Sequence, residues 1–205
     1  MYELPTIDGS SLGPGTNVLV SGPAMSGKQR FGLETLAAGS RHGDGAIVVS
    51  TKDTGSRVLD RYAEISDEDS PIGVIDCVTQ QQGIEPAEDD RVLYAASPVD
   101  MTGIGISFSK LLESFYSDHD RKRNRVLLSS LSTLLMYADL QTVFRFLHVF
   151  TGRVQSANAL GLFCLDSSAH DDQTMNTLKQ LFDGQLTLSP EEPPSLQLSG
   201  QSSSN

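Results

Sequence analysis

Short runs of apolar residues alternate along the chain with longer segments whose apolar positions recur at helical spacing. That alternation predicts a parallel sheet joined by crossover helices. Asn17-Val18-Leu19-Val20-Ser21 reads as a first strand, entered through the turn Gly13-Pro14-Gly15. A helix is expected from Lys28 to Ala38, stopped near Gly39, followed by a buried strand Ala46–Ser50. Asp53-Thr54-Gly55-Ser56 reads as a turn and N-cap leading into a helix over Arg57–Ile65, before a strand at Ile72–Asp76. The polar stretch from Gln80 to Asp90 is expected to be a loop, and Val92–Ala95 a short strand. Ile104, Phe108, Leu111, Leu112 and Phe115 fall on one face of a helix. Val126–Ser129 has the composition of a central strand. Leu140, Val143, Phe144, Leu147 and Val154 predict an amphipathic helix over Asp139–Gln155. A strand at Leu160–Leu165, a helix at Asp171–Phe182 and a last strand at Gly184–Leu188 complete the pattern. The expected fold class is therefore α/β, a mostly parallel twisted sheet with helices on both faces. One domain is expected over residues 1–189, with a polar, unordered tail over 190–205 that is too rich in Pro, Glu, Ser and Gln to bury itself.

Charge narrows the partners. The net charge is −11, and lysine occurs only at positions 28, 52, 110, 122 and 179. An acidic surface disfavours non-specific nucleic-acid binding, which needs cations facing phosphates. Acid-rich and lysine-poor composition also predicts adaptation to high salt. One basic run, Arg121-Lys122-Arg123-Asn124-Arg125, interrupts it; a solvated connection is the plain expectation, and a partner or nucleotide contact the sharper one. No apolar run reaches the length of a membrane span, and the residues Met1-Tyr2-Glu3-Leu4-Pro5 lack the charge and apolar core of a signal peptide. Cys77 and Cys164 sit in or beside apolar runs and are expected as buried free thiols, so a reducing, cytoplasmic location is expected. His42, His119, His148 and His170 lack metal-ligand spacing, and His170-Asp171-Asp172 reads as a helix start.

The chemistry centres on Gly22-Pro23-Ala24-Met25-Ser26-Gly27-Lys28-Gln29. It follows a predicted strand and opens a predicted helix, the context in which G-x-x-x-x-G-K wraps a phosphate. Backbone N–H groups and the helix N-terminus would face the anion, and Lys28 would neutralise it. Two departures concern Mg²⁺. Gln29 stands where the pattern has the Ser or Thr hydroxyl that ligates the metal, and the strand Val126-Leu127-Leu128 ends in Ser129 where an Asp is expected. ATP binding is thus expected, with Mg²⁺ coordination in doubt unless Asp53 or Asp166 takes over.

Three blocks carry a resemblance to the RecA superfamily, in particular to KaiC-like ATPases and their archaeal RadA-related cousins: Pro14–Gly22 ahead of the loop, Val126–Leu135, and Phe182-Asp183-Gly184-Gln185-Leu186-Thr187-Leu188. With the acidic composition, the chain resembles the small single-domain KaiC-like proteins of haloarchaea. The resemblance implies a RecA-type P-loop NTPase core, ATP at the loop, and assembly into homo-oligomers. In that family a pair of acidic residues after the second strand activates water; here those places hold Lys52 and Asp53, leaving Asp53 as the one candidate catalytic residue. Lys52 could instead place a fixed positive charge near the terminal phosphate. Four functions follow: a nucleotide-binding regulatory protein without hydrolysis, a slow ATPase using Asp53, a RadA-like DNA-binding paralogue, and a structural module. The DNA-binding reading ranks last, because 134–139 and 166–173 carry no Lys or Arg.

Overall fold

The computed structural model describes residues 1–5, 7, 11–67, 70–118 and 120–199. His119 and 200–205, the end of the expected tail, lie outside them. An eight-stranded sheet forms the centre. Two short N-terminal strands, β1 (Tyr2–Glu3) and β2 (Ser11–Leu12), pair antiparallel beside it. The sheet is then built from β3 (Asn17–Gly22), β4 (Gly45–Ser50), β5 (Ile72–Asp76), β6 (Val92–Tyr94), β7 (Asn124–Leu128), β8 (Leu160–Asp166), β9 (Gly184–Thr187) and β10 (Ser195–Leu198). Its spatial order is β10-β9-β3-β8-β7-β4-β5-β6, parallel throughout except for β10.

The strands carry apolar side chains on both faces, as parallel strands covered by helices must. Leu19, Ile47, Val49, Ile75, Val126, Leu128 and Phe163 point to one face, where they meet α3 (Met101–Ser117), α4 (Leu131–Tyr137), α5 (Leu140–Ser156) and α6 (Asp172–Lys179). Val18, Val20, Ala46, Val48, Val74, Leu127 and Leu162 point to the other, under α1 (Lys28–Ser40), α2 (Gly55–Ala63) and the β1–β2 pair. The alternation along each strand is the period-2 pleat read out twice. Among the described residues no helix is long and apolar enough to cross a membrane.

Four local expectations are corrected. The segment 195–198, expected within an unordered tail, pairs with β9 and packs Leu198 over Gly184. Helix α4 has no counterpart among the expected elements; it starts immediately after β7, where the Ser130 hydroxyl caps it by accepting from Thr133 N–H at 3.2 Å. On α5 the buried face carries Phe146 and Phe150 together with Val143, Leu147 and Val154, while Phe144 is only half-buried. The basic run is not solvated throughout. Strand β7 begins at Asn124, so Arg125 lies within the sheet and is 1% exposed. Its Nε donates to Asp44 Oδ2 at 2.9 Å, and its Nη1 donates to the carbonyls of Glu3 and Thr35, each at 2.9 Å. Arg123 reaches the second Asp44 oxygen at 3.1 Å and lies over the Tyr2 ring. These contacts hold the N-terminal segment against the amino end of β7.

Candidate functional site

The carboxyl ends of β3, β4, β7 and β8 converge on a cavity of about 1140 Å³, the position where open α/β sheets bind ligands. Ala24 through Arg30, Lys52, Ser129 and Asp166 line it, with Arg61 and Glu64 from the end of α2. Its volume lies just above the range of roughly 300–1,000 Å³ common for small-molecule sites, so it has room for a nucleotide-sized ligand.

The loop at its floor is shaped by two glycines. Gly22 is buried at the end of β3, where a Cβ would collide with the Leu188 carbonyl oxygen and come within 2.6 Å of Ser26 Oγ. Gly27 takes φ 83°, a left-handed conformation that lets the chain turn from the loop into α1. No side chain caps that helix, and its first turn holds no acidic residue. Its first N–H groups and the positive end of its dipole are therefore available to an anion.

Lys28 donates to the Gly22 carbonyl at 2.8 Å, the Pro23 carbonyl at 2.6 Å and Ser26 Oγ at 3.2 Å. Burial lowers its pKa from the ordinary lysine value; Asp166 and Cys164 oppose the shift and Lys52 adds to it. Asp166, at the end of β8, accepts from the Ser168 hydroxyl at 2.7 Å and the Ser168 N–H at 3.0 Å. Burial would raise its pKa, but these bonds together with the Lys28 charge hold it below the usual carboxylate value. Behind the loop, burial pushes the Cys164 thiol up to about 12. Both cysteines are free and buried, as expected.

The structure brings the loop residues Ala24 to Gln29 together with Lys52 and Ser129 around one space. Gly22 and Pro23 complete the loop as acceptors for Lys28. Asp53 stands outside the lining. Its carboxylate turns to Arg61 at 2.9 Å and Arg57 at 3.6 Å, so its charge is paired with two guanidinium groups. Ser129 is 6% exposed, and its hydroxyl accepts from the Thr51 N–H at 3.0 Å and lies 3.3 Å from Thr51 Oγ1. It ties the end of β7 to the end of β4. Arg30, Arg61 and Glu64 join the lining without any local motif to mark them. Helix register and the docking of α2, whose first N–H donates to the buried Asp76 carboxylate at 2.6 Å, bring the latter two there.

The family fold implies Mg²⁺ beside the phosphates, and these residues do not fit it. Mg²⁺ calls for hard, anionic oxygens. At the two expected ligand positions stand an amide, Gln29, and a hydroxyl already bonded to Thr51. The cavity carries four cationic side chains against the two carboxylates Glu64 and Asp166.

Strand order, loop and helix together define an α/β fold whose mostly parallel sheet carries a strand–loop–helix unit opening on the cavity. The fold matches that of the KaiC-like protein from the hyperthermophilic archaeon Pyrococcus horikoshii, with a TM-score of 0.57 at 12% identity over 90% of this chain and 78% of that one. A family model described as a family of unknown function, DUF7504, matches residues 15–188, and the chain belongs to that family. No curated protein matches the sequence.

Proposed function

We propose that the chain binds a nucleoside polyphosphate, ATP in the reading the fold favours, and acts as a regulatory protein whose bound form is read by a partner rather than as a working ATPase. The observation that carries this is the uncapped N-terminus of α1, opening with Lys28 onto the cavity at the strand ends. The case against turnover rests on the same cavity. Phosphoryl transfer needs a metal clamp and an oriented water, and their loss costs several powers of ten in rate. Here Gln29 and Ser129 replace the metal ligands, and Asp53 is held by two arginines.

Asp166 favours a second reading, a slow ATPase, because its carboxylate lines the cavity near Lys28. DNA binding draws no support from 134–139, which closes α4 without a basic residue. Calorimetric titration with ATP alongside phosphate release separates the readings. Binding without turnover, weakened in Lys28→Ala, is the expected result. Turnover that disappears in Lys28→Ala and Asp166→Asn overturns the regulatory reading. A melting curve for each variant checks that the loop substitution has not unfolded the chain.

A further inference from the structure

The four cations around the cavity are not equivalent. Lys28 bonds its own loop, Arg30 pairs with Glu34 at 2.7 Å and Arg61 pairs with Asp53 at 2.9 Å. Lys52 lines the same cavity and, among the described residues, makes no hydrogen bond or ion pair. It follows directly on Thr51, whose N–H and hydroxyl are fastened to Ser129 and to the Ser130 carbonyl. The backbone that carries Lys52 is thus anchored, and its ammonium is left for a ligand. Its charge is also felt at Lys28.

We propose that the site takes its nucleoside polyphosphate free of divalent metal, with the Lys52 ammonium supplying the charge that Mg²⁺ supplies elsewhere. This rests on the nucleotide reading above and sharpens it. A tri- or diphosphate without metal carries more negative charge than its Mg²⁺ complex, so a cation-lined cavity whose metal ligands have been replaced favours the uncomplexed anion. The same electrostatics makes added Mg²⁺ a competitor for the ligand, not a helper.

Calorimetric titration of the whole chain with ATP, once in EDTA and once in excess Mg²⁺, tests this. Affinity in EDTA is expected to equal or exceed that in Mg²⁺. Lys52→Ala is expected to weaken binding in EDTA by about tenfold, a change of about 1.4 kcal/mol. Lys52→Arg should keep most of the affinity, and Lys52→Asp should make binding depend on Mg²⁺. Lys52 is exposed, so these variants leave the core untouched. Binding that requires Mg²⁺ in the unaltered chain, or that ignores Lys52→Ala in EDTA, overturns the metal-free inference while leaving nucleotide binding intact. No heat in either condition overturns both.

Discussion

Replacing Asp44 by Ala removes the counter-ion of a guanidinium that has no route to water. Asp44 is 0% exposed and Arg125 1%, and they meet at 2.9 Å. Breaking a buried pair by deleting one partner costs about 3–5 kcal/mol, because the remaining charge stays in a poor dielectric. Two carbonyl acceptors, Glu3 and Thr35, remain for Arg125, which places the cost toward the lower end. Arg123 also loses its 3.1 Å contact with Asp44, though it is half-exposed and that loss is small. Against a total stability of about 5–15 kcal/mol, this is a large fraction. For a chain of this size about 2–4 °C of melting temperature accompanies each kcal/mol, so a fall of roughly 6–20 °C is expected. Urea unfolding followed by circular dichroism measures it, with an unchanged slope against denaturant as the sign that the folded state itself is intact. The pair is shielded from solvent ions, so the deficit should persist in molar salt. A loss under about 1 kcal/mol would refute the argument, and so would full recovery in concentrated KCl.

Three further outcomes are expected. The acidic, lysine-poor surface predicts a melting temperature that rises from low salt to molar KCl, and a flat or falling curve removes the high-salt reading. Burial pushes both the Cys77 and the Cys164 thiols from 9.0 up to about 12, so neither should react with a thiol reagent at pH 8 until the chain unfolds. The unfolded chain releases these protons first as the pH rises, so it binds fewer protons than the folded one; stability should then fall between about pH 9 and 12, and a Cys→Ala pair should flatten that fall.

Elements with their own periodicity are legible in the sequence itself. Strands β3, β4, β5 and β8 are continuous apolar runs, and the loop between β3 and α1 carries its motif in order. What escapes a local reading depends on neighbours distant in sequence. Arg125 reads as solvated because nothing local reveals that Asp44, 81 positions away, lies beside it. Phe150 is placed by packing against Phe108 and Phe163, and Phe146 stacks on Phe150, which selects one side of a helix that is apolar on more than one. Strand β10 is too polar to order alone; β9 supplies the hydrogen-bonding edge that makes it a strand. At the site, the replacements Gln29, Lys52 and Ser129 are visible as letters. That Ser129 is fastened to Thr51, and that Asp53 faces two arginines, shows only with the side chains in place.

The Lys28 ammonium has three protons and three acceptors, all within its own loop. Any anion that engages it does so by exchange: one of those internal bonds must open as a bond to the ligand forms. Affinity at this loop is therefore a difference between two sets of contacts of similar kind. A neutral nucleoside offers too little to win that exchange, whereas a polyphosphate, with several charged oxygens on one short chain, can take the lysine and the helix N–H groups together. On the nucleotide reading proposed above, the loop is a threshold device that discriminates by charge density before any base is recognised.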